Sequence, residues 1–196
     1  TRSSVYGIYL NTNSDPQVPK LTWVRRLGSD QTDSAEALTI GIDGSIYVSG
    51  FTNGSLDGIT KIDSFDSFIA KYSPDGTKIW TQLLGFKGFD SAYALTTGNH
   101  GSIYVGGITT GSQDGQINNG TSDGFLTKLS PDGTKLWTRL QGTPGVEKIS
   151  SISSSLDGYI LVAGETTGAL DGQTNNGGTD VFITKYNPEG TKVWTR

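Results

Sequence analysis

The four tryptophans of this chain, Trp23, Trp80, Trp137 and Trp194, recur at a constant spacing of 57 residues. A period of this length, kept without insertion or deletion, indicates a chain built from one repeated structural unit. A unit of this size buries its apolar residues only by packing against copies of itself. The 196 residues therefore have to be interpreted as an array before any single motif is interpreted.

Each repeat contains four segments with the side-chain alternation of a β-strand. Small and large side chains alternate before Asp43-Gly44, a dipeptide that favours a type I′ hairpin turn. A long loop rich in Gly, Asn and Asp follows the second segment, and Ser73-Pro74-Asp75-Gly76 forms a turn before the fourth. In the first repeat the predicted strands are residues 34–42, 46–49, 68–72 and 78–84.

Four such strands predict an antiparallel meander with two half-apolar faces, which needs a neighbour on each face. A ring of twisted four-stranded blades, the β-propeller, supplies those neighbours. Small residues such as Ala92 and Ala94 suit the innermost strand, and the tryptophans would cover the seams between blades. A β-solenoid is the alternative, but it would need much shorter repeats. We expect one all-β domain over residues 1–196, with repeats at about 29–85, 86–142 and 143–196.

The first 28 residues depart from the repeat pattern. They contain only a third strand at residues 5–10 and a fourth at 21–27, which predicts three full blades plus a half-blade, in a four-bladed or larger propeller. We expect the two missing inner strands to come from sequence beyond Arg196 or from a second chain. The lack of methionine indicates a processed product or a segment of a longer protein.

Composition excludes several classes of function. The net charge is −4 and the 15 basic residues are scattered, which argues against a nucleic-acid surface. The absence of cysteine rules out disulfides, zinc–thiolate sites and thiol nucleophiles. No apolar run approaches the ~20 residues of a membrane span, and no signal peptide is visible.

Three segments resemble the bacterial β-propeller repeats called SBBP repeats: Gly50–Trp80, Gly107–Trp137 and Gly164–Trp194. The clearest stretch is Thr167–Asp180, leading into Phe182–Tyr186. The resemblance recurs in register and covers nearly everything after about residue 20. It implies a propeller from a bacterium, exported or at the cell surface, and it implies no reaction.

Acidic residues recur at the repeat period in three positions. Such carboxylates, together with Asn and backbone carbonyls, could hold Ca²⁺, although their spacing matches no EF-hand loop. The alternative is structural, with each carboxylate accepting hydrogen bonds from loop amides. We expect no cofactor, with calcium as the alternative. The candidate metal ligands are Asp57, Asp66, Asp114, Asp123, Asp171 and Asp180.

Candidate binding residues are the acids that precede each first strand and the charged departures from the repeat. His100 replaces the aspartate of the hairpin turn, and Glu165 replaces Phe51 and Ile108. No nucleophile–base pair is evident. We expect a non-enzymatic scaffold that presents Asn/Asp/Gly-rich loops to a protein or glycan. The alternatives are a hydrolase or lyase with an acidic site, and a calcium-stabilised surface protein. The binding candidates are Glu165, His100, Asp33, Asp90 and Glu147.

Overall fold

The computed structural model describes the backbone of residues 6–9 and 21–196, and the side chains from Trp23 onward. Over these residues it contains β-strands, turns and two short 3₁₀ turns, Asn99–Gly101 and Leu170–Gly172, but no α-helix. The strands are β1 (Tyr6–Tyr9), β2 (Leu21–Arg25), β3 (Asp33–Ile40), β4 (Ile46–Thr52), β5 (Asp66–Tyr72), β6 (Lys78–Leu83), β7 (Asp90–Thr97), β8 (Ile103–Thr109), β9 (Asp123–Leu129), β10 (Lys135–Gln141), β11 (Glu147–Ser154), β12 (Ile160–Thr166), β13 (Asp180–Tyr186) and β14 (Lys192–Thr195).

The strands form three four-stranded sheets and one two-stranded sheet. Sheet 1 (β3–β6), sheet 2 (β7–β10) and sheet 3 (β11–β14) are antiparallel, with strands paired in chain order. The predicted four-stranded meander is confirmed in all three. β1 pairs with β2, as the half-blade prediction requires, and the predicted strand ends at Val5 and Leu10 lie outside the described residues.

The first strands of the three sheets lie beside one another. The Thr97 hydroxyl of β7 donates to the Ile40 carbonyl of β3 at 3.3 Å, and the Ser154 hydroxyl of β11 donates to the Thr97 carbonyl at 2.9 Å. Ala92 and Ala94 are buried here, as the small side chains of a crowded inner strand should be. This arrangement is propeller-like, with each first strand innermost.

Apolar clusters hold each sheet against the next. Ile69 of sheet 1 lies in one cluster with Val105 and Phe125 of sheet 2, and Leu126 of sheet 2 lies in another with Ile149 of sheet 3. All five side chains are fully buried. Because each cluster draws on two sheets, each sheet depends on its neighbours for burial, the general condition of repeat proteins.

Each seam is closed by a tryptophan on the fourth strand and a glycine in the following sheet. A β-carbon added at Gly133 would lie 3.2 Å from the ring of Trp80, and Gly133 has the left-handed φ of +92°. Only glycine combines that φ with so close an approach. Trp23 packs on Gly76 and Trp137 on Gly190 in the same way, so the expectation that tryptophans cover the seams is confirmed for these three.

The predicted type I′ turn at Asp43-Gly44 is wrong. A type I′ turn needs positive φ at both central residues, and only Gly44 has it, at +76°. The Asp43 carboxylate instead accepts hydrogen bonds from the backbone N–H and hydroxyl of Ser45, and Gly41 N–H donates to the Ser45 carbonyl. These bonds close a longer loop in which glycine alone is left-handed.

Candidate functional site

One repeated surface of the molecule consists of the three loops that follow the second strands, residues 53–65, 110–122 and 167–179, called here the display loops. The aspartate at one repeat position has a left-handed φ in all three: Asp57 at +53°, Asp114 at +48° and Asp171 at +51°. A glycine follows each aspartate, also at positive φ. The three loops therefore share one backbone shape at this turn despite differing in sequence.

A lysine on the fourth strand of the same sheet binds each of these aspartates. Lys78 pairs with Asp57, Lys135 pairs with Asp114 at 2.9 Å, and Lys192 pairs with Asp171 at 2.5 Å. The Thr195 hydroxyl also donates to Asp171. Each display loop is thus tied to the outer strand behind it by an ion pair.

Two of these aspartates, Asp171 and Asp57, have a pKa below the ordinary value. Burial raises the pKa of Asp171, but hydrogen bonds from Lys192 and Thr195 and the lysine charge outweigh it and hold the pKa below its ordinary value. Asp57 has the same balance, with Lys78 and Thr81 as its partners. The carboxylates stay ionised and already face a cation. Over residues 23–196, no three His, Cys, Asp or Glu side chains gather as a metal site would require.

The aspartate that opens each third strand closes its own display loop. Its carboxylate accepts the backbone N–H of the residue four positions earlier: Ile62 to Asp66 at 2.7 Å, Asn119 to Asp123 at 3.1 Å and Asn176 to Asp180 at 2.7 Å. A carboxylate used in this way fixes a loop. The structural interpretation of these three metal candidates therefore has a direct geometric basis.

The acid that opens each first strand closes the linker from the preceding sheet by the same device. Ser29 N–H donates to Asp33 at 2.6 Å and Phe86 N–H to Asp90 at 2.6 Å. Thr143 N–H donates to Glu147 at 2.6 Å. Asp90 and Glu147 are fully buried, which leaves neither carboxylate open to a ligand.

The two sets of acids meet where one sheet joins the next. Asp90 N–H donates to the Phe65 carbonyl at 2.9 Å, which brings Asp90 beside the start of β5 and the Asp66 carboxylate. Burial, with the nearby charges of Asp66 and Asp63, raises the pKa of Asp90 to about 6. One oxygen of Asp90, Oδ1, has no hydrogen-bond partner.

The next junction has the same construction. Glu147 N–H donates to the Ser122 carbonyl at 3.0 Å, which places Glu147 beside Asp123. Burial and the Glu147 charge raise the pKa of Asp123. The Glu147 carboxylate also accepts the hydroxyls of Thr143 and Thr166. Buried carboxylate pairs are thus a repeated element of the sheet junctions.

His100 and Glu165 do not join these acids into a catalytic arrangement. His100 is exposed in the turn after β7, with φ +60°, whereas Asp90 lies at the other end of that strand. Glu165 is exposed near the end of β12, opposite Lys148 and Val181 in the strand register. Among residues 23–196, no hydrogen bond or ion pair joins His100 or Glu165 to Asp33, Asp90 or Glu147.

Two lysines that the sequence did not mark as functional connect neighbouring sheets. Lys71 donates to the Pro131 carbonyl at 3.2 Å and Lys128 donates to the Pro188 carbonyl at 3.0 Å. The sequence signal was present, because lysine and proline each recur at the period of 57 residues. The partner in the following sheet is a main-chain carbonyl for both lysines, and Lys71 also lies 3.6 Å from the Asp43 carboxylate of its own sheet. Charge pairing alone therefore could not identify the contact between sheets.

Comparison with known proteins agrees with a repeated β architecture. The chain is 32% identical over 147 residues to the regulatory protein FlaEY of Caulobacter vibrioides, covering 67% of this chain and 15% of that protein. It is 25% identical over 191 residues to an uncharacterised WD repeat-containing protein of Acanthamoeba polyphaga mimivirus, covering 87% of this chain and 12% of that protein. The chain thus spans about an eighth to a seventh of these relatives. No protein-family model matches it.

A solved structure of a protein of unknown function from Bacteroides caccae overlaps 91% of this chain and 50% of its own, at 11% identity and a TM-score of 0.49. That overlap is too loose to establish a shared fold. The class defined by the strands themselves is an all-β, propeller-like repeat protein. Within the described residues, no helix has the length and apolar character needed to cross a membrane.

Proposed function

We propose that this chain is a non-enzymatic β-propeller module of the SBBP-repeat type that presents its display loops to a protein partner. The observation that carries the proposal is the shared backbone shape of the three loops, each fixed by a left-handed aspartate and its lysine. Three similar loops held on one scaffold can add weak contacts through effective concentration. The resemblance to SBBP repeats supports an exported bacterial setting for this module.

The exposed part of each loop is available for such contacts because the acids are engaged elsewhere. Thr60, Ile117 and Thr174 occupy one repeat position and are all exposed, Ile117 by 72%. Exposed apolar area such as that of Ile117 suits the apolar core of a protein–protein interface.

The aromatic residues favour a protein over a glycan as the partner. Sugars are commonly bound against exposed aromatic ring faces, but Trp23, Trp80 and Trp137 pack on glycines of the next sheet. Tyr47 and Tyr104 are buried. These five aromatic rings are therefore already packed within the fold.

Photo-crosslinking tests the proposal on cells of the source organism. A photoreactive residue is placed at Thr60 or Ile117 in the display loops, and as the control at Leu156, which is 92% exposed in the β11–β12 turn at the other end of sheet 3. We expect one protein adduct at both loop positions and none at Leu156. Adducts found only at Leu156 would overturn the proposal. Adducts at the loop positions that free oligosaccharides suppress and proteins do not would also overturn it.

A further inference from the structure

One apolar face of sheet 3 is exposed, whereas the equivalent faces of sheets 1 and 2 are buried against the following sheet. Ile69 of sheet 1 and Leu126 of sheet 2 are fully buried beneath the following sheet, whereas Ile183 at the same repeat position of sheet 3 is 44% exposed. Leu161 is 39% exposed where its counterpart Tyr104 is 3% exposed. We call this surface of β12 and β13 the free face. Its side chains are those of an interface between two sheets, but no following sheet packs on it among the described residues.

A cavity of about 250 Å³ opens beside the free face, lined by Leu170, Asp180 and Phe182 among others. In sheet 2 the linker to sheet 3, residues 142–146, occupies the corresponding place: Thr121 N–H donates to the Gly145 carbonyl at 2.9 Å. The cavity therefore has the position of a missing linker segment.

Polar and aromatic groups repeat the same pattern. All three lysines of this repeat position lie over a tyrosine ring of their own sheet, Lys71 at 5.3 Å, Lys128 at 5.5 Å and Lys185 at 4.0 Å. Lys71 and Lys128 also donate to a proline carbonyl of the following sheet, whereas Lys185 has no such bond among the described residues. Trp194 likewise has the repeat position of the three seam tryptophans, with no following glycine turn in the described residues.

We infer that the free face of sheet 3 is a docking surface for one further repeat of this type, carried by the same polypeptide after Arg196. Continuity with the two existing interfaces defines the occupant. The linker of this further repeat would fill the cavity, a left-handed glycine in its turn would pack on Trp194, and a main-chain carbonyl of that turn would accept a hydrogen bond from Lys185. The relatives are long enough to hold further repeats, since this chain spans 15% and 12% of them. The inference does not depend on what the first two display loops bind, whereas the third display loop lines the cavity.

The test compares the 196-residue chain with the same chain extended after Arg196 by a copy of residues 140–196, which keeps the period of 57. Ile183→Asp is introduced into both. We expect it to change the melting temperature by less than about 2 °C in the 196-residue chain, and to lower it by about 6 °C or more in the extended chain, where the aspartate is buried. The matched control is Val193→Asp, at a β-bulge residue that stays exposed at the corresponding Ile79 and Leu136 of the covered sheets.

Two further measurements keep the inference testable if the variants fold poorly. Hydrogen exchange of unmodified β12 and β13 should slow at least about tenfold in the extended chain, and an unchanged rate overturns the inference. The intact mass of the natural protein, denatured, should exceed 20.8 kDa, and a mass of 20.8 kDa overturns it. A dimer of the 196-residue chain that Ile183→Asp dissociates would assign the free face to a second copy and also overturn it.

Discussion

Replacing Asp90 by asparagine should stabilise the protein at neutral pH, although it removes a residue type that recurs at the sheet junctions. Asp90 is fully buried beside Asp66 and Asp63, and its pKa rises from 3.8 to about 6 in the folded state. Because the folded state holds the proton more tightly than the unfolded chain, this group favours folding most below pH 3.8, and the benefit is lost as pH rises through 6. Above that pH, the ionised carboxylate costs about 3 kcal/mol.

Asparagine keeps an acceptor for the Phe86 N–H but carries no charge. We therefore expect Asp90→Asn to exceed the unmodified protein in free energy of unfolding by about 1–3 kcal/mol at pH 8, and by little at pH 4. Aspartates whose pKa is lowered lose their stabilising effect as pH falls, but they are present in both proteins and cancel in the difference. They are Asp43, Asp57, Asp75, Asp132, Asp157 and Asp171.

The assay is urea unfolding followed by tryptophan fluorescence at intervals from pH 4 to pH 8. Asp33→Asn is the matched control, because Asp33 has the same repeat position but is partly exposed and accepts the hydroxyls of Ser29 and Thr52. We expect no stabilisation from this control at any pH. A constant difference between Asp90→Asn and the unmodified protein across the range would refute the reasoning from burial and charge.

Three other perturbations test the seams, the core and the metal alternative. Gly133→Ala should cost about 1–3 kcal/mol in urea unfolding, because its β-carbon would press on Trp80, whereas Gly115→Ala, equally left-handed but with open space around it, should cost only about 1 kcal/mol. Equal costs would contradict seam packing. Ile149→Ala should cost about 2–5 kcal/mol in the same assay, and a loss below 1 kcal/mol would contradict the buried contact between sheets. Millimolar calcium should leave the melting temperature unchanged, since a lysine already neutralises Asp171; a rise abolished by Asp171→Asn would favour a metal site.

The strands were predictable because their signals are local. Side-chain alternation and the Pro-Asp-Gly turns marked the meander, and the constant period located the three sheets. The turn at Asp43 was not predictable from the Asp-Gly dipeptide. Asp43 and Asp157 both accept a local hydrogen bond on the carboxylate, from Ser45 and Ser155, and neither has a left-handed φ. Where His100 replaces the aspartate, both turn residues are left-handed.

The sequence predicted which acidic residues form the candidate site, but not the partners that they bind. Recurrence pointed to a structural role, and the amide bonds to Asp66 and Asp123 supply one. The lysine partner of Asp57 lies 21 residues away, and its contact arises only when the third and fourth strands pair behind the loop. The burial that raises the pKa of Asp90 requires the next sheet to be in place. Such features depend on packing that no single segment encodes.

At each junction between sheets, a carboxylate accepts the N–H of the residue four positions earlier, and this bond has a genetic consequence. The bond from Phe86 to Asp90 and that from Thr143 to Glu147 both fix the length of a linker, so a codon gained or lost within either linker would break the bond. An in-frame duplication of a whole period would preserve every such bond and add one more sheet with matching ends. Genes for proteins of this type should therefore change in length by entire repeats, and the linkers should be the segments least tolerant of small insertions.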